Sequence, residues 1–256
     1  MNIDQELKGK KVLITGASKG LGREIAINFE KLGCKLFLCA RDLELLNNLK
    51  SSFSNQSEHH FFNLDLLNDL ERNKMLNQIQ KDFENPDIII HCLGGSLGFN
   101  NPLDNIENYL KSIKGNLGVA IDINNKFIPN FKKRKFGNIV HVSSVVAKQA
   151  TASVPYVTAK SAISAYVRTL GNHLADHNVV VSGILPGAFI AENNAMARFK
   201  KFKPDEYQEF VNKLPLKRMP HAKEYIEIIK LLSSRKSQIF SGSMIPLDTG
   251  QGLSIS

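Results

Sequence analysis

Short apolar runs alternate along the chain with longer stretches in which apolar residues recur every three or four positions. The short runs read as buried strands and the periodic stretches as amphipathic helices. Strands are predicted at 12–14, 36–39, 60–62, 87–90, 138–142, from 179 to Pro186-Gly187, and at 244–247. Helices are predicted at 21–32, 43–53, 66–83, 112–132, 155–174 and 222–232. Residues 191–220 are polar and mixed, and the pattern assigns them to neither class. Strands alternating with helices indicate a parallel sheet with crossover helices on both faces. No linker, repeat or low-complexity run divides the pattern. The expected fold is α/β: a doubly wound, seven-stranded parallel sheet in a single domain, 1–256.

Composition narrows the class. A chain of 256 residues, 43% hydrophobic and 22% charged, can bury a large core without disulfides. Cys39 and Cys92 lie in apolar runs, and with Cys34 they form no C-x-x-C pair. Buried, reduced thiols are expected, which fits a reducing cytoplasm. No apolar stretch follows Met1, and no run approaches the roughly 18 apolar residues of a membrane span. A soluble cytoplasmic protein with no membrane partner is expected. The net charge of +9 raises three readings: nucleic acid, a phosphorylated cofactor or substrate, and a solvated lysine surface. No nucleic-acid motif appears, so no nucleic-acid partner is expected. The seven histidines show no H-x-x-x-H or H-E-x-x-H spacing, and no metal site is expected. His141 lies in an apolar strand and reads as a buried neutral imidazole. The basic run Lys132-Lys133-Arg134-Lys135 reads as a helix end.

The first strand runs into Thr15-Gly16-Ala17-Ser18-Lys19-Gly20-Leu21-Gly22. Glycines at this spacing allow a tight turn and close approach to a pyrophosphate, whose charge the following helix start complements. After the second strand the place where an acidic residue often holds a ribose hydroxyl falls near Ala40, and Arg41 follows. Arg41 can pair with a ribose 2′-phosphate, and Lys19 adds positive charge. NADP(H) is therefore expected over NAD(H). The alternative is that Arg41 pairs with the adjacent Asp42.

Strand five ends at Ser143-Ser144, Tyr156 follows twelve residues after Ser144, and Lys160 four residues later. Within one helix, that last spacing puts Tyr156 and Lys160 on one face. A nearby ammonium favours the phenolate, so Lys160 is expected to lower the Tyr156 pKa and make it a proton donor and acceptor. Ser144 can hydrogen-bond the same substrate oxygen.

With these motifs in this order, the chain resembles the short-chain dehydrogenase/reductase family over nearly its whole length, a Rossmann-type fold. The resemblance implies a catalytic tetrad of Asn116, Ser144, Tyr156 and Lys160, with Asn116 helping to hold a proton-relaying water. It implies cofactor contacts from Thr15, Gly16, Ser18, Lys19, Gly20, Leu21, Gly22, Arg41, Gly94, Tyr156, Lys160, Pro186 and Gly187, with Asp65 at the adenine. It also implies a substrate lid at 191–220, where Arg198, Lys200, Lys201 and Lys203 could hold an anionic substrate, and a homotetramer or homodimer. Three positions depart from the family pattern: His91-Cys92-Leu93-Gly94 replaces Asn-Asn-Ala-Gly, Ala191 stands in place of a threonine, and Ser182 in place of an asparagine. The implied activity is interconversion of a carbonyl and a secondary alcohol. A weaker resemblance to the branch associated with bacterial flagellin and surface-glycan modification suggests an amino-sugar precursor. A 3-ketoacyl thioester reductase and a non-catalytic NADP-binding redox sensor are the alternatives.

Overall fold

The computed structural model describes residues 2–83 and 85–254. Seven strands join one parallel sheet: β1 (Lys11–Thr15), β2 (Lys35–Ala40), β3 (His60–Asn63), β4 (Ile88–His91), β5 (Gly137–Val142), β6 (Val179–Pro186) and β7 (Met244–Leu247). Their order is β3-β2-β1-β4-β5-β6-β7. Strands buried on both faces read as unbroken apolar runs, and Val12-Leu13-Ile14 and Ile88-Ile89-Ile90 are all fully buried. Alternate residues serve opposite faces. Ile88 and Ile90 pack with α2 (Gly20–Lys31) and α10 (Ile226–Leu232), while Ile89 packs with α4 (Asp69–Asp82), α6 (Val119–Arg134) and α7 (Val154–Leu174). The order reverses between β1 and β4, which opens a crevice at their carboxyl ends.

The sheet follows the predicted pattern, while helix ends were misplaced where side-chain caps decide them. The predicted helix at 66–83 starts at Asp69, because the Asn68 side chain accepts from the amides of Leu70 and Glu71. The helix expected at 112 begins at Ile106, as α5 (Ile106–Ile113), and reaches α6 through a wide π-turn at Lys114–Gly118. A short helix α1 (Ile3–Leu7) went unpredicted; Asn2 caps it and it buries Leu7. After β2, Asp42 caps α3 (Leu43–Ser51) by accepting from Leu45 N–H.

Residues 191–220, left unassigned by pattern, hold two helices, α8 (Ala195–Phe202) and α9 (Pro204–Lys213). Asn194 caps α8 through Ala197 N–H at 2.8 Å. The lysines at 200, 201 and 203 break the apolar stripe that would have revealed these helices. The basic run does end α6, with Lys135 in the left-handed conformation, but Arg134 is bound, pairing with Asp87 at 3.0 Å. Among the described residues no helix is long and apolar enough to cross a membrane.

Candidate active site

A cleft of about 990 Å³ opens at the switch point. Gly16, Ser18, Lys19, Gly20, Leu21 and Gly22 line one end, with Arg41; Ser144, Tyr156 and Lys160 line the other, with Gly94, Pro186 and Gly187. Gly22 shows why the turn demands glycine. A Cβ there would run into the Gly16 carbonyl oxygen and sit 3.2 Å from Cys92 Cβ.

Three predicted cofactor or catalytic residues do not line this cleft. Thr15 is fully buried beneath the turn, where its hydroxyl accepts from Cys92 and Leu93 N–H, each at 3.2 Å, and ties the exit of β4 to β1. The Asp65 carboxylate accepts from Leu67 N–H at 3.0 Å and lies 3.8 Å from Arg41. Arg41 therefore pairs with Asp65, across β2 and β3, while Asp42 is committed to capping α3. Asn116 is buried in the π-turn, and its side chain clamps the loop after β4. Its Oδ1 accepts from Gly95 N–H, and its Nδ2 donates to the carbonyls of Gly95 and Ser112, at 2.9–3.0 Å. A Cβ on Gly94 would lie 2.5 Å from Asn116 Oδ1 and 3.2 Å from Lys160 Nζ, so the loop threads between these two side chains only as glycine.

The start of α7 is pinned by three hydroxyls. Ser112 donates to Pro155 O, Ser161 to Ala147 O, and Ser143 to Lys160 O. The i, i+4 spacing then brings Lys160 Nζ to 5.7 Å from the Tyr156 ring centre. Ser144 hydrogen-bonds the Tyr156 hydroxyl. Lys160 is only 4% exposed and donates to Val142 O at 3.1 Å. Burial pushes its pKa down to about 8, and the nearby Cys92 opposes that shift. Tyr156 departs from expectation: burial holds its hydroxyl above the usual range, against the pull of the Ser144 hydrogen bond. Lys160 does not lower it, because desolvation outweighs an ammonium that faces the ring and is engaged with Val142. In the protein alone Tyr156 is thus a protonated donor.

Cys39 is buried as expected, whereas Cys92 is half-buried and lines the cleft. Of the four basic residues at 198–203, only Arg198 lines the cleft. Lys200 and Lys201 lie over the Tyr207 and Phe202 rings, and Lys203 pairs with Glu206. Sequence reasoning missed the contact between this segment and the glycine turn: Gly20 N–H donates to Glu192 O, and Arg23 pairs with Glu192 at 3.2 Å. No local pattern announces a contact so distant along the chain.

His141 is buried, and its pKa lies well below the ordinary value, through desolvation first and then the charges of His91 and Lys160. His91 is pushed down to about 4 by burial. A histidine with a lowered folded pKa costs stability as pH falls from the unfolded value near 6.5 toward the folded one, because the unfolded chain takes the proton first. Apo protein is expected to lose about 1.4 kcal/mol per pH unit through His91 between pH 6.5 and 4. Urea melts of wild type and His91→Asn would check this; parallel pH profiles would refute it.

A parallel sheet with a glycine turn at its switch point and a tyrosine–lysine pair across the cleft defines a dinucleotide-dependent oxidoreductase scaffold. The chain belongs to the short chain dehydrogenase family, matching it over residues 10–201. It is 29% identical over 70% of its length to a fatty acyl-CoA reductase of Acinetobacter baylyi, and spans 62% of that protein. An L-xylulose reductase of Caenorhabditis elegans is 24% identical, with 98% of each chain covered. Among solved structures, L-sorbose reductase of Gluconobacter frateurii, complexed with NADPH and L-sorbose, superposes with a TM-score of 0.86 at 21% identity, covering 98% of this chain and 100% of that one. An actinorhodin polyketide ketoreductase with NADPH gives 0.87 at 20% identity, covering 96% and 98%.

Proposed function

We propose that the protein is an NADP(H)-dependent oxidoreductase that interconverts a carbonyl and a secondary alcohol, with Tyr156 as general acid and base. The observation that carries this reading is the pairing of a buried Lys160 with Tyr156 and Ser144 at one end of a cleft whose other end is a glycine turn flanked by Lys19 and Arg41. The residues present suit the cofactor: the turn leaves no room for a Cβ at Gly22 and little at Gly16, which keeps its backbone open to a pyrophosphate, and Arg41 and Lys19 suit a 2′-phosphate. The NADPH bound in two similar folds supports the same choice.

When bound, the nicotinamide supplies or accepts the hydride. Ser144 and Tyr156 orient the substrate carbonyl by hydrogen bonding to its oxygen. As the hydride adds to carbon, Tyr156 gives its proton to that oxygen. The Lys160 ammonium stabilises the phenolate left behind, which is reprotonated from water. Alcohol oxidation runs the same proton path in reverse. Asn116 keeps the Gly94-Gly95 loop clear of Lys160. Residues 191–220 act as the lid that excludes water.

Arg198 is the lid's basic residue in the cleft; it donates to Asn193 O and has no carboxylate partner among the described residues, so an anionic group on the substrate is the expected match. An amino-sugar phosphate, as in surface-glycan precursors, meets that requirement. A 3-oxoacyl thioester meets it too, and is favoured by the two 3-oxoacyl-[acyl-carrier-protein] reductases that are 24% identical to the chain over nearly its full length. Exposed Leu103, Ile106 and Leu110 on and beside α5 mark the face offered to a second copy in a homodimer or homotetramer.

Nicotinamide fluorescence titration followed by a turnover panel tests the reading. Tyr156→Phe is expected to bind NADPH as wild type does and to lose about 10²–10⁴-fold in kcat on the substrate found among thioesters, ketones and amino-sugar phosphates. Equal turnover by both proteins would remove Tyr156 from the chemistry. Binding without turnover by wild type on any substrate would favour a redox-sensing module. Tighter binding of NADH than of NADPH would overturn the role given to Arg41 and Lys19.

A further inference from the structure

One wall of the cleft is held by a side chain to which the reaction above gives no task. Pro186, Gly187, Ala188 and Phe189 leave the end of β6 and line the cleft together with Ser144, Tyr156 and Lys160. β5 and β6 enter the site side by side, Ser143 N–H donating to Ile184 O at 3.0 Å. The pairing of β6 with β7 stops just beyond: Gly187 N–H donates to Leu247 O at 3.4 Å, and the next peptide needs other partners. Gln251, in the turn after β7, supplies them. Its Oε1 accepts from Ala188 N–H at 2.8 Å, and its Nε2 donates to Ala188 O at 3.2 Å. One carboxamide thus stands in for the strand residue that would otherwise pair with Ala188.

The turn is built to present that carboxamide. The Asp248 carboxylate accepts from Gly250 and Gly252 N–H, at 3.0 and 2.8 Å, and Gln251 N–H donates to Asp248 O at 3.0 Å. Thr249 and Gly250 take the left-handed conformation, at φ of 56° and 78°. The Thr249 hydroxyl accepts from Gln251 Nε2 at 3.2 Å, so both carboxamide protons are bound and the group cannot rotate without losing a bond. Gly187 is matched to the same group. A Cβ there would lie 2.8 Å from Gln251 Cδ and Oε1, so any other residue would push the carboxamide off Ala188.

We propose that Gln251 is a positioning residue for the catalytic end of the cleft: its carboxamide fixes the Ala188 peptide, and through it the 186–189 wall against which the nicotinamide and the reacting carbonyl are set. The proposal rests on the functional reading above. Gln251 stands behind this wall rather than in the cleft, so it acts through Ala188 and not on the reactants. The glycine turn and Arg41 line the other end of the cleft. A residue without the paired bonds would leave Ala188 N–H and C=O to water, and the wall would shift while the adenosine end stayed in place. A glutamate keeps an acceptor for Ala188 N–H but, when ionised, has no proton for Ala188 O.

The test compares Gln251→Leu, Gln251→Ala and Gln251→Glu with wild type, on protein whose fold is verified by circular dichroism. The first readout is a contrast between two ligands, NADPH and 2′-phospho-ADP-ribose, each titrated by calorimetry. The second ligand has every part of the cofactor except the nicotinamide. The Leu and Ala variants are expected to bind NADPH about tenfold more weakly and the fragment within about twofold of wild type. The Glu variant is expected to fall between them and wild type. A side chain that merely supports the fold would, when lost, weaken both ligands alike. Where a substrate is turned over, kcat in the Leu and Ala variants is expected to fall about tenfold or more, because the reacting atoms are no longer held in line. The second readout needs no ligand: hydrogen exchange of the Ala188 amide in the apo protein, expected to quicken at least about tenfold in the Leu and Ala variants. A wild-type contrast in either folded variant would overturn the proposal, as would equal weakening of both ligands or an unchanged exchange rate. If one of these variants fails to fold, the other gives the reading. Wild type that binds neither ligand would sink the functional reading instead, and the exchange rate would still decide whether Gln251 holds Ala188.

Discussion

Lys160→Met is expected to lower kcat/KM by at least about 10³-fold and, at the same time, to make the apo protein more stable. On the proposed mechanism, the loss of activity follows from removing the charge that would stabilise the Tyr156 phenolate. The gain in stability follows from burial. Lys160 is 4% exposed, and desolvation lowers its pKa to about 8, from 10.5 in the unfolded chain. Below pH 8 both states are protonated, and the folded state carries the full cost of a buried charge. Between 8 and 10.5 the folded protein sheds its proton first, so wild-type stability rises with pH across that window. Methionine keeps much of the side-chain volume without the charge. The variant is expected to gain about 1–3 kcal/mol at pH 7, the upper end set by the pKa shift and the lower by the abandoned Val142 carbonyl. For a domain of this size that is roughly 2–4 °C per kcal/mol. Melts at pH 7 and pH 10.5 check the account: the advantage should shrink at the higher pH. A variant less stable than wild type at both pH values would show that Lys160 supports the fold rather than burdening it.

Gly22→Ala is the second large effect. The added methyl group would run into the Gly16 carbonyl oxygen and crowd Cys92, so the turn between β1 and α2 must open. Overpacking of this kind costs about 1–3 kcal/mol of stability. It also displaces the amides and glycines proposed to hold the pyrophosphate, and NADPH affinity is expected to fall by about a hundredfold, or about 2.7 kcal/mol. Fluorescence titration together with a thermal melt measures both. Wild-type NADPH affinity in this variant would remove the turn from the cofactor site. The two substitutions separate cleanly: Lys160→Met trades activity for stability, whereas Gly22→Ala loses both binding and stability.

Much of this could be read in the chain itself. The apolar runs at 12–14 and 88–90 had to be buried strands, because so short and continuous a run can hide both faces only inside a sheet. The glycine turn, Ser144, Tyr156 and Lys160 were legible because their spacing is local: a turn fixes the first, and one helical turn fixes the last pair. Helix ends such as Asp69 and Ile106 were not, since a single capping asparagine shifts a boundary by several residues.

What the sequence by itself determined is therefore the sheet, its parallel sense and the set of candidate side chains, all set by periodicity and short-range geometry. Only the tertiary structure decided what those side chains touch. It turned Asp65 toward Arg41, committed the Asn116 side chain to the Gly95 backbone and Thr15 to the exit of β4, and set Glu192 against the glycine turn. It also decided protonation. Burial raised Tyr156 and lowered Lys160 because desolvation depends on every atom packed around a group, and those atoms come from strands and helices far apart along the chain.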